Sequence, residues 1–563
     1  MDEPRSGEAL RLRLRESQLF LALSLVIGIL AGLTAVLFSL AIDRADFELF
    51  GLIPSPLRTF FIPIVVSLAT GVLLSTVFSG ARGSGIPQTK AAFHLQEGVI
   101  PARVPIGKFL CGVLCIGSGH SLGREGPSVQ IGAGVASAIG QWLRLSPTRV
   151  KELVPVGAAG ALAAAFNTPI AAVMFALEEI IGDLNATLLG STVVASVASV
   201  VVARSILGNE PLFHVPAYDL AHPAELLGYA VLGVVGGLVS LAFCKSLLRL
   251  RLAFSDMPRW TVVFQPAIGG IVIGATLLLV PEIKGVGYEY VDQALNGDLI
   301  LQTMLILCVV KLAATVVSYC SGNAGGIFAP SLYIGAMAGG AVGLLVNRVA
   351  PFPTGDPGAY ALVGMGTLFA GIIRAPMTSV FMIFEITQDY QILVPLMVAN
   401  LLSFAISKRY QPVPVYDALL QQDHIHLPSA AARESTGWTA RDVMNTDVQY
   451  LSPDLSVDDA WSVMSGEARE AQLVGAPGYL RGLLAFEQLS TARQEGRGHQ
   501  TVGSILDDTF PHVHLDHSLD IVLSRFTESP GLLPVVDRAK VERVEGVIGR
   551  SEITRLVERR TTP

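Results

Sequence analysis

The feature that most constrains this chain is a succession of long apolar segments between Gln18 and about Ser407. A helix needs roughly 20 apolar residues to cross a bilayer. Five segments reach or approach that length: Gln18–Ile42, Phe60–Phe78, Leu188–Ile206, Leu226–Cys244 and Val262–Val280. Charged residues make up only 15% of the 563, whereas an ordinary soluble domain has about 25%. The sequence therefore predicts an all-α integral membrane protein that crosses the bilayer many times.

Charge is distributed unevenly along the chain. The polar, charged part begins after His424, and the first apolar segment is preceded by Arg5, Arg11, Arg13 and Arg15. Because positively charged flanks stay in the cytoplasm, we expect a cell (inner) membrane protein whose N-terminus and soluble tail are cytoplasmic. The net charge of −7 argues against a nucleic-acid partner. The sequence has no P-loop or HExxH motif and its five cysteines fit no metal spacing, so we expect no enzyme, metal or cofactor.

The apolar part contains an internal repeat. "PSVQIGA" at Pro127–Ala133 recurs as "PSLYIGA" at Pro330–Ala336, 203 residues later. "TPIAAVMFALE" at Thr168–Glu178 recurs as "APMTSVFMIFE" at Ala375–Glu385, 207 residues later. Many transporters consist of two related halves, often inverted, with the substrate site between them at the bilayer midplane. The repeat therefore predicts such a pair of halves.

Glycine and proline interrupt the apolar segments at "GSGIPQ", "GREGPS", "FNTPIA", "GGIFAPS" and "IRAPMTS". Broken helices at membrane depth are tolerated where the backbone lines a cavity or is buried in protein. Proline suits the first turn of a helix, and a helix start presents free N–H groups with about half a positive charge. Two or more such starts directed at one point make an anion site. These junctions predict an anion-conducting membrane protein.

Five blocks carry a resemblance to the CLC chloride channels and transporters: "GSGIP" (83–87), "GREGPSVQIG" (123–132), "AAAFNTPIAAVMFALEE" (163–179), "GNAGGIFAPSLYIGA" (322–336) and "IRAPMTSVFMIFEITQDY" (373–390). The resemblance implies the CLC fold at 17–422, with inverted halves at roughly 17–207 and 224–422. Residues 1–16 would be a cytoplasmic N-terminal segment, and 423–439 a linker. It also implies a homodimer with one pore per subunit.

The resemblance also implies a chloride site. Ser84 would donate its hydroxyl to the central chloride, and serine here, where some relatives have proline, points to chloride over nitrate. The other implied donors are Tyr416, the N–H groups of Ile327 and Phe328, and the backbone around Arg124–Gly126.

Two glutamates decide the implied mechanism. Glu125 would be the external gate and proton acceptor, since its carboxylate is an anion that can occupy the outer anion site. Glu179 matches the glutamate that passes protons from the cytoplasm in the proton-coupled members, so its presence favours proton–chloride antiport. A passive gated chloride channel regulated by the tail is the alternative. Glu178 and Glu385 occupy matched positions of the repeat, which favours a role in capping or bracing a junction.

Three further polar residues lie near these blocks. Gln88 follows "GSGIP" where the family often has glutamate, and Lys108 either assists the approach of anions or extends to the membrane surface. His120 titrates near neutrality and is close to Glu125 in sequence; a packed neutral side chain and a pH sensor are the two interpretations.

The tail also repeats itself, since "DLSVDDAWSVM" (454–464) matches "DHSLDIVLSRF" (516–526). Ser456 and Asp459 approximate a capping box, and "LLPVVD" and "VEGVIG" predict strands. The two units resemble an α/β tandem CBS pair, at 440–495 and 496–563. Such pairs often bind adenine nucleotides, but the usual contact positions hold Ala485, Gln488, Gly549 and Glu552. These departures make nucleotide binding doubtful, and a dimer-stabilising or gating module is the alternative.

Overall fold

The computed structural model describes residues 6–51, 55–183, 188–208, 212–213, 215, 221–427, 439–466, 469–506, 510–517, 519–527, 529–538 and 540–554. The chain divides into two compact units, Met1–Leu427 and Pro428–Pro563. Each unit is described by itself below.

The first unit is helical. Its α-helices are α1 (Ser6–Phe50), α2 (Pro56–Thr76), α3 (Ile86–Leu95), α4 (Arg103–Gly117), α5 (Glu125–Trp142), α6 (Pro147–Phe166), α7 (Pro169–Phe175), α8 (Leu189–Leu207), α9 (Leu226–Ser255), α10 (Gln265–Leu279), α11 (Tyr288–Leu295), α12 (Leu301–Cys320), α13 (Phe328–Val349), α14 (Pro357–Ile372), α15 (Pro376–Thr387), α16 (Leu393–Tyr410) and α17 (Val415–Gln422). A π-helical turn, Ala176–Ile181, follows α7 directly.

Six described helices are long and apolar enough to cross a membrane, within α1, α2, α8, α9, α12 and α13. Four of the five predicted segments coincide with the first four. The fifth, Val262–Val280, is wrong as a full span, because its α-helix has only 15 residues and follows a 3-10 turn. The sequence missed α12 because Lys311 interrupts its apolar run. The Lys311 side chain is buried, and its Nζ donates to the carbonyl oxygens of Ile283 (2.9 Å) and Gly285 (2.7 Å).

The internal repeat is visible in the packing. A Cβ on Gly132 would lie 2.3 Å from the carbonyl oxygen of Gly157, so α5 and α6 cross with their backbones in contact. A Cβ on Gly335 would lie 2.4 Å from the carbonyl oxygen of Gly364, where α13 crosses α14. Small residues allow this close approach in membranes. The same crossing therefore occurs in both halves, as the repeat predicts.

The second unit is an α/β domain. Its helices are α18 (Ala440–Val443), α19 (Val457–Gly466), α20 (Phe486–Gln494) and α21 (Leu519–Thr527), and its strands are β1 (Tyr450–Leu451), β2 (Ala471–Ala476), β3 (Tyr479–Ala485), β4 (Val513–His514), β5 (Leu532–Val536) and β6 (Val544–Gly549). Two three-stranded sheets have the orders β1-β2-β3 and β4-β5-β6. In each, the first pair is parallel and the second antiparallel.

The repeat in the tail therefore corresponds to two units of the same topology. The Oγ of Ser456 accepts a hydrogen bond from the Asp459 amide at 3.1 Å, so the predicted cap of α19 is confirmed. The matching serine, Ser518, lies outside the described residues. The two predicted strands are β5 and β6, which pair with each other.

Candidate functional site

Three glycine loops of the membrane unit are joined by backbone hydrogen bonds. Gly123 and Gly326 exchange two N–H···O bonds of 2.7 and 2.8 Å, and the Gly325 amide donates to the Gly83 carbonyl at 3.2 Å. Helices α3, α5 and α13 begin within a few residues of these loops, so their N-termini meet at one place. Each N-terminus offers unpaired amides and a partial positive charge. The meeting point is therefore suited to an anion.

Two hydroxyl groups complete this place. Ser84 directly precedes the turn into α3, and Tyr416 lies in the first turn of α17; both side chains are fully buried. The hydroxyls face each other, yet neither makes a hydrogen bond of standard geometry to any described residue. A buried polar group without a partner costs about 1–3 kcal/mol. Two such hydroxyls beside the helix starts fit a chloride ion as acceptor.

The backbone of α5 lies alongside Ser84. A Cβ on Gly126 would be 2.6 Å from Ser84 Oγ and 3.3 Å from the Cα of Gly326. Glycine is therefore required here, because any side chain would fill the space between the loops. The structure thus brings together the predicted residues Ser84, Tyr416 and Gly126.

Ile327 and Phe328 form the start of α13. Ile327 is the N-cap residue and Phe328 the first helical residue, and both are buried. The Phe328 ring packs against Phe166, Phe175 and Phe369, with centroid distances of 5.0, 5.7 and 4.5 Å. This aromatic cluster fixes the first turn of α13, so its amides keep their direction toward the loops.

The Glu125 carboxylate lies at this same place. Glu125 is the first residue of α5 and is fully buried. Its Oε1 accepts a hydrogen bond of 2.6 Å from the Tyr288 hydroxyl. A Cβ on Gly123 would be 2.5 Å from Glu125 Oε2 and 3.1 Å from the Ala329 amide nitrogen, so that oxygen lies beside the first turn of α13. An acidic side chain therefore sits where an anion would be attracted.

Arg124 and Glu125 do not form an ion pair among the described contacts. The guanidinium of Arg124 lies over the ring of Tyr288, 5.5 Å from its centroid. Among the described contacts, the partner of Arg124 is therefore the Tyr288 ring. Tyr288 was not predicted from the sequence. The one local signal was the glycine before it: Gly287 has a φ of +80° and caps the start of α11, which begins at Tyr288.

Glu179 belongs to a buried ion cluster. It lies in the π-helical turn, a distortion that often marks functional sites. Lys90 Nζ donates to Glu179 Oε1 at 2.7 Å and to Asp417 Oδ1 at 2.6 Å. Lys90 lies on α3, which Ser84 precedes, and Asp417 follows Tyr416. The cluster is thus attached to both elements that carry the hydroxyl donors, and Lys90 and Asp417 were missed from the sequence.

The comparisons with known proteins decide the family. The family described as "Voltage gated chloride channel" matches residues 66–408. This chain belongs to the CLC family. It is 33% identical over 422 residues to the H(+)/Cl(-) exchange transporter ClcA of Vibrio cholerae serotype O1, covering 71% of this chain and 89% of that protein. It is 32% identical over 418 residues to chloride channel protein CLC-e of Arabidopsis thaliana, covering 68% and 58%.

Solved CLC structures share the fold. The crystal structure of a slow cyanobacterial Cl-/H+ antiporter matches with a TM-score of 0.66 and 26% identity, covering 72% of this chain and 97% of that one. A eukaryotic CLC transporter matches with a TM-score of 0.64 and 20% identity, covering 95% and 97%. The first unit is therefore a multi-pass membrane protein with the CLC fold. The family match ends before the tail, so the CBS pair stays a prediction.

In this CLC protein, Glu178 and Glu385 each cap the start of a helix in the other half of the repeat. The Glu178 carboxylate accepts from the amides of Met377 (3.3 Å) and Thr378 (2.8 Å) at the start of α15. The Glu385 carboxylate accepts from the Ile170 amide (2.9 Å) and the next amide (2.7 Å) at the start of α7. The predicted capping role is confirmed, and it connects the two repeats reciprocally.

Lys108 and Gln88 brace the CLC loop around Gly83. Lys108 is fully buried and its Nζ donates to the Gly83 carbonyl at 2.7 Å. The interpretation that it extends to the membrane surface is therefore wrong, because its charge is satisfied inside the protein. Gln88 accepts from the Gly85 amide at 3.0 Å.

His120 is a packed histidine in this CLC protein. It is fully buried, and its ring nitrogens lie 2.6 Å from Ser67 Oγ and 3.2 Å from Ser318 Oγ. Both nitrogens have a hydroxyl partner, which supports the packed interpretation over the pH sensor.

In the tail, the four positions at which nucleotide contacts usually occur hydrogen-bond to each other in two pairs. The Ala485 amide donates to Gln488 Oε1 at 2.9 Å, and the Gly549 amide donates to Glu552 Oε2 at 3.0 Å. These side chains cap helix starts. The expectation against nucleotide binding in the tail stays a prediction.

Proposed function

We propose that this CLC protein exchanges chloride for protons across the membrane, with Glu125 as the external gate and proton acceptor and Glu179 as the internal proton-transfer residue. The observation that carries the proposal is the location of the Glu125 carboxylate. It lies beside the first turn of α13, at the place suited to an anion. A chloride ion and this carboxylate therefore compete for the same donors.

The competition explains how proton and chloride movement are coupled. While Glu125 is ionised, it is attracted to the helix starts and excludes chloride. A proton removes that charge, so the side chain leaves and chloride takes its place. The chloride is bound by Ser84, Tyr416 and the first amides of α13. Glu179 supplies protons from the other side, and its link through Lys90 to α3 ties it to the chloride site.

Two of the similar proteins support this proposal over a passive channel, whereas CLC-e is named as a chloride channel protein. The Vibrio relative is named as an H(+)/Cl(-) exchange transporter and the cyanobacterial structure as a Cl-/H+ antiporter. Serine at position 84 supports chloride as the substrate. We also propose a homodimer in the cell (inner) membrane with the N-terminus and tail in the cytoplasm, no enzymatic activity, and a CBS pair in the tail.

Reconstitution into liposomes tests the function. A chloride gradient should drive protons uphill in the wild type. Chloride movement without protons in the wild type would support the passive channel, and no chloride movement would refute transport. Glu125→Ala should pass chloride without moving protons, because the residue that carries the proton is gone. Glu179→Gln should also lose proton movement, while Glu289→Ala, at an exposed glutamate, is the control. Proton coupling that persists in Glu125→Ala would refute the gate.

A further inference from the structure

We propose that Tyr288 is a positioning residue for the gate: its hydroxyl holds the ionised Glu125 in the anion site and sets the pH at which the gate releases. This inference rests on the proposed function of Glu125. It is carried by one contact between residues 163 apart in the chain, the 2.6 Å hydrogen bond from Tyr288 Oη to Glu125 Oε1. A hydroxyl that donates to a carboxylate makes a short, charge-assisted bond.

The phenol ring of Tyr288 is held from two sides. The Arg124 guanidinium lies over one face, 5.5 Å from the centroid. The buried ring of Phe213 packs edge-on, with a centroid distance of 5.2 Å and an angle of 84°. These contacts restrict the ring to one orientation. The hydroxyl is therefore directed at the carboxylate before the bond forms.

The loop that leads into Tyr288 is also fixed. Lys311 Nζ binds two carbonyl oxygens of this loop, those of Ile283 and Gly285. At Gly287 a Cβ would lie 2.7 Å from the Tyr333 ring, and the φ of +80° favours glycine. The backbone thus enters α11 in one conformation. The fold builds a rigid support for a single hydroxyl that faces the gate.

Removing that hydroxyl does not change the chemical identity of the other groups around Glu125. Arg124 and Tyr416 are the other titratable groups within electrostatic range of Glu125, and Asp43 of α1 is within electrostatic range of Arg124. The first turns of α3 and α13 carry no titratable side chain. Tyr288→Phe therefore changes one donor and leaves the charges near the gate unchanged.

The test measures chloride efflux from liposomes against the pH on the gate side. In the wild type, efflux should fall as the pH rises, since ionised Glu125 excludes chloride. Without the Tyr288 hydroxyl the ionised form is held less firmly, so a higher pH is needed to close the site. The midpoint in Tyr288→Phe should move up by about one to two pH units. A folding or packing defect would lower the amount of efflux without moving its midpoint.

Three further variants make the result decisive. Tyr333→Phe is the matched control, because that hydroxyl is directed at the Glu282 carbonyl at 3.4 Å; its midpoint should stay at the wild-type value. Tyr288→Leu should shift in the same direction as Tyr288→Phe. In a Glu125→Ala background, Tyr288→Phe should have no effect on the pH dependence.

Two kinds of failure can be told apart. A coupled wild type whose midpoint is unchanged in both Tyr288 variants would overturn the positioning role alone. An equal shift in Tyr333→Phe, or a shift that persists without Glu125, would also overturn it. A wild type with no proton coupling would instead refute the proposed function.

Discussion

Replacing Lys90 with methionine tests whether the buried ion cluster holds the region around Glu179 together. The side chains of Lys90, Glu179 and Asp417 are 5%, 7% and 23% exposed. The two carboxylate oxygens lie 2.7 and 2.6 Å from the Lys90 nitrogen, so their separation cannot exceed the 5.3 Å sum of these distances. Without the ammonium they repel by about 3 kcal/mol at an effective dielectric constant of about 20. Removing one partner of a buried pair costs a similar 3–5 kcal/mol or so.

We therefore expect Lys90→Met to lower the free energy of unfolding by about 3–5 kcal/mol, measured by denaturant titration in detergent micelles. Adding Asp417→Asn should recover about 3 kcal/mol, since it removes one of the two repelling charges. Lys408→Met, at an exposed lysine of α16, should change stability by less than about 0.5 kcal/mol. If Lys90→Met costs less than about 1 kcal/mol, or if Asp417→Asn recovers nothing, the cluster is not held as described.

The reciprocal caps, the helix crossings and the tail give further predictions. Glu178→Gln and Glu385→Gln should each lower the free energy of unfolding by about 1–3 kcal/mol in the same titration, and a loss in only one would contradict their reciprocal role. Gly335→Val should prevent folding, seen as loss of the monodisperse peak in size-exclusion chromatography, because its Cβ would meet a backbone carbonyl of α14 at 2.4 Å; Gly190→Val is the control, with nothing within 4 Å. Burial and a neighbouring imidazole lower the pKa of His517. The unfolded chain therefore binds a proton at His517 more tightly than the folded chain does, and the tail loses stability as the pH falls below about 6.5. His517→Gln should reduce this acid loss in pH-dependent unfolding, and an unchanged loss would contradict the linkage.

The glycine–proline motifs made the helix junctions of the candidate site predictable from sequence. Each motif contains both the break in the helix and the proline that starts the next helix, so the positions of the junctions follow from local physics. The roles expected of Ser84, Glu125 and Phe328 within them came from the resemblance to the CLC family. The repeat then placed the equivalent junctions in both halves. The capping glutamates Glu178 and Glu385 were predicted for the same reason, because they occupy matched positions nine residues after a proline.

The partners of these residues were not predictable, because they come from distant parts of the chain. Tyr288 is 163 residues from Glu125, and Lys90 is 327 residues from Asp417. A single charged residue within an apolar segment argues against a membrane span when its partner is unknown. For this reason α12, which contains Lys311, was not predicted. Such contacts form when whole helices pack together, and no local pattern in the sequence indicates them.

The way this protein handles buried cations explains how it can bind chloride and still release it. Lys90, Lys108 and Lys311 are buried in the membrane unit, and each ammonium donates to oxygen atoms of the protein. A full positive charge 4 Å from chloride would contribute about 4 kcal/mol to its binding free energy at an effective dielectric constant of 20. That corresponds to roughly a thousandfold tighter binding, and turnover would slow accordingly. In the proposed mechanism, hydroxyls and helix starts attract the ion with partial charges instead, so a single ionised carboxylate, Glu125, is enough to displace it.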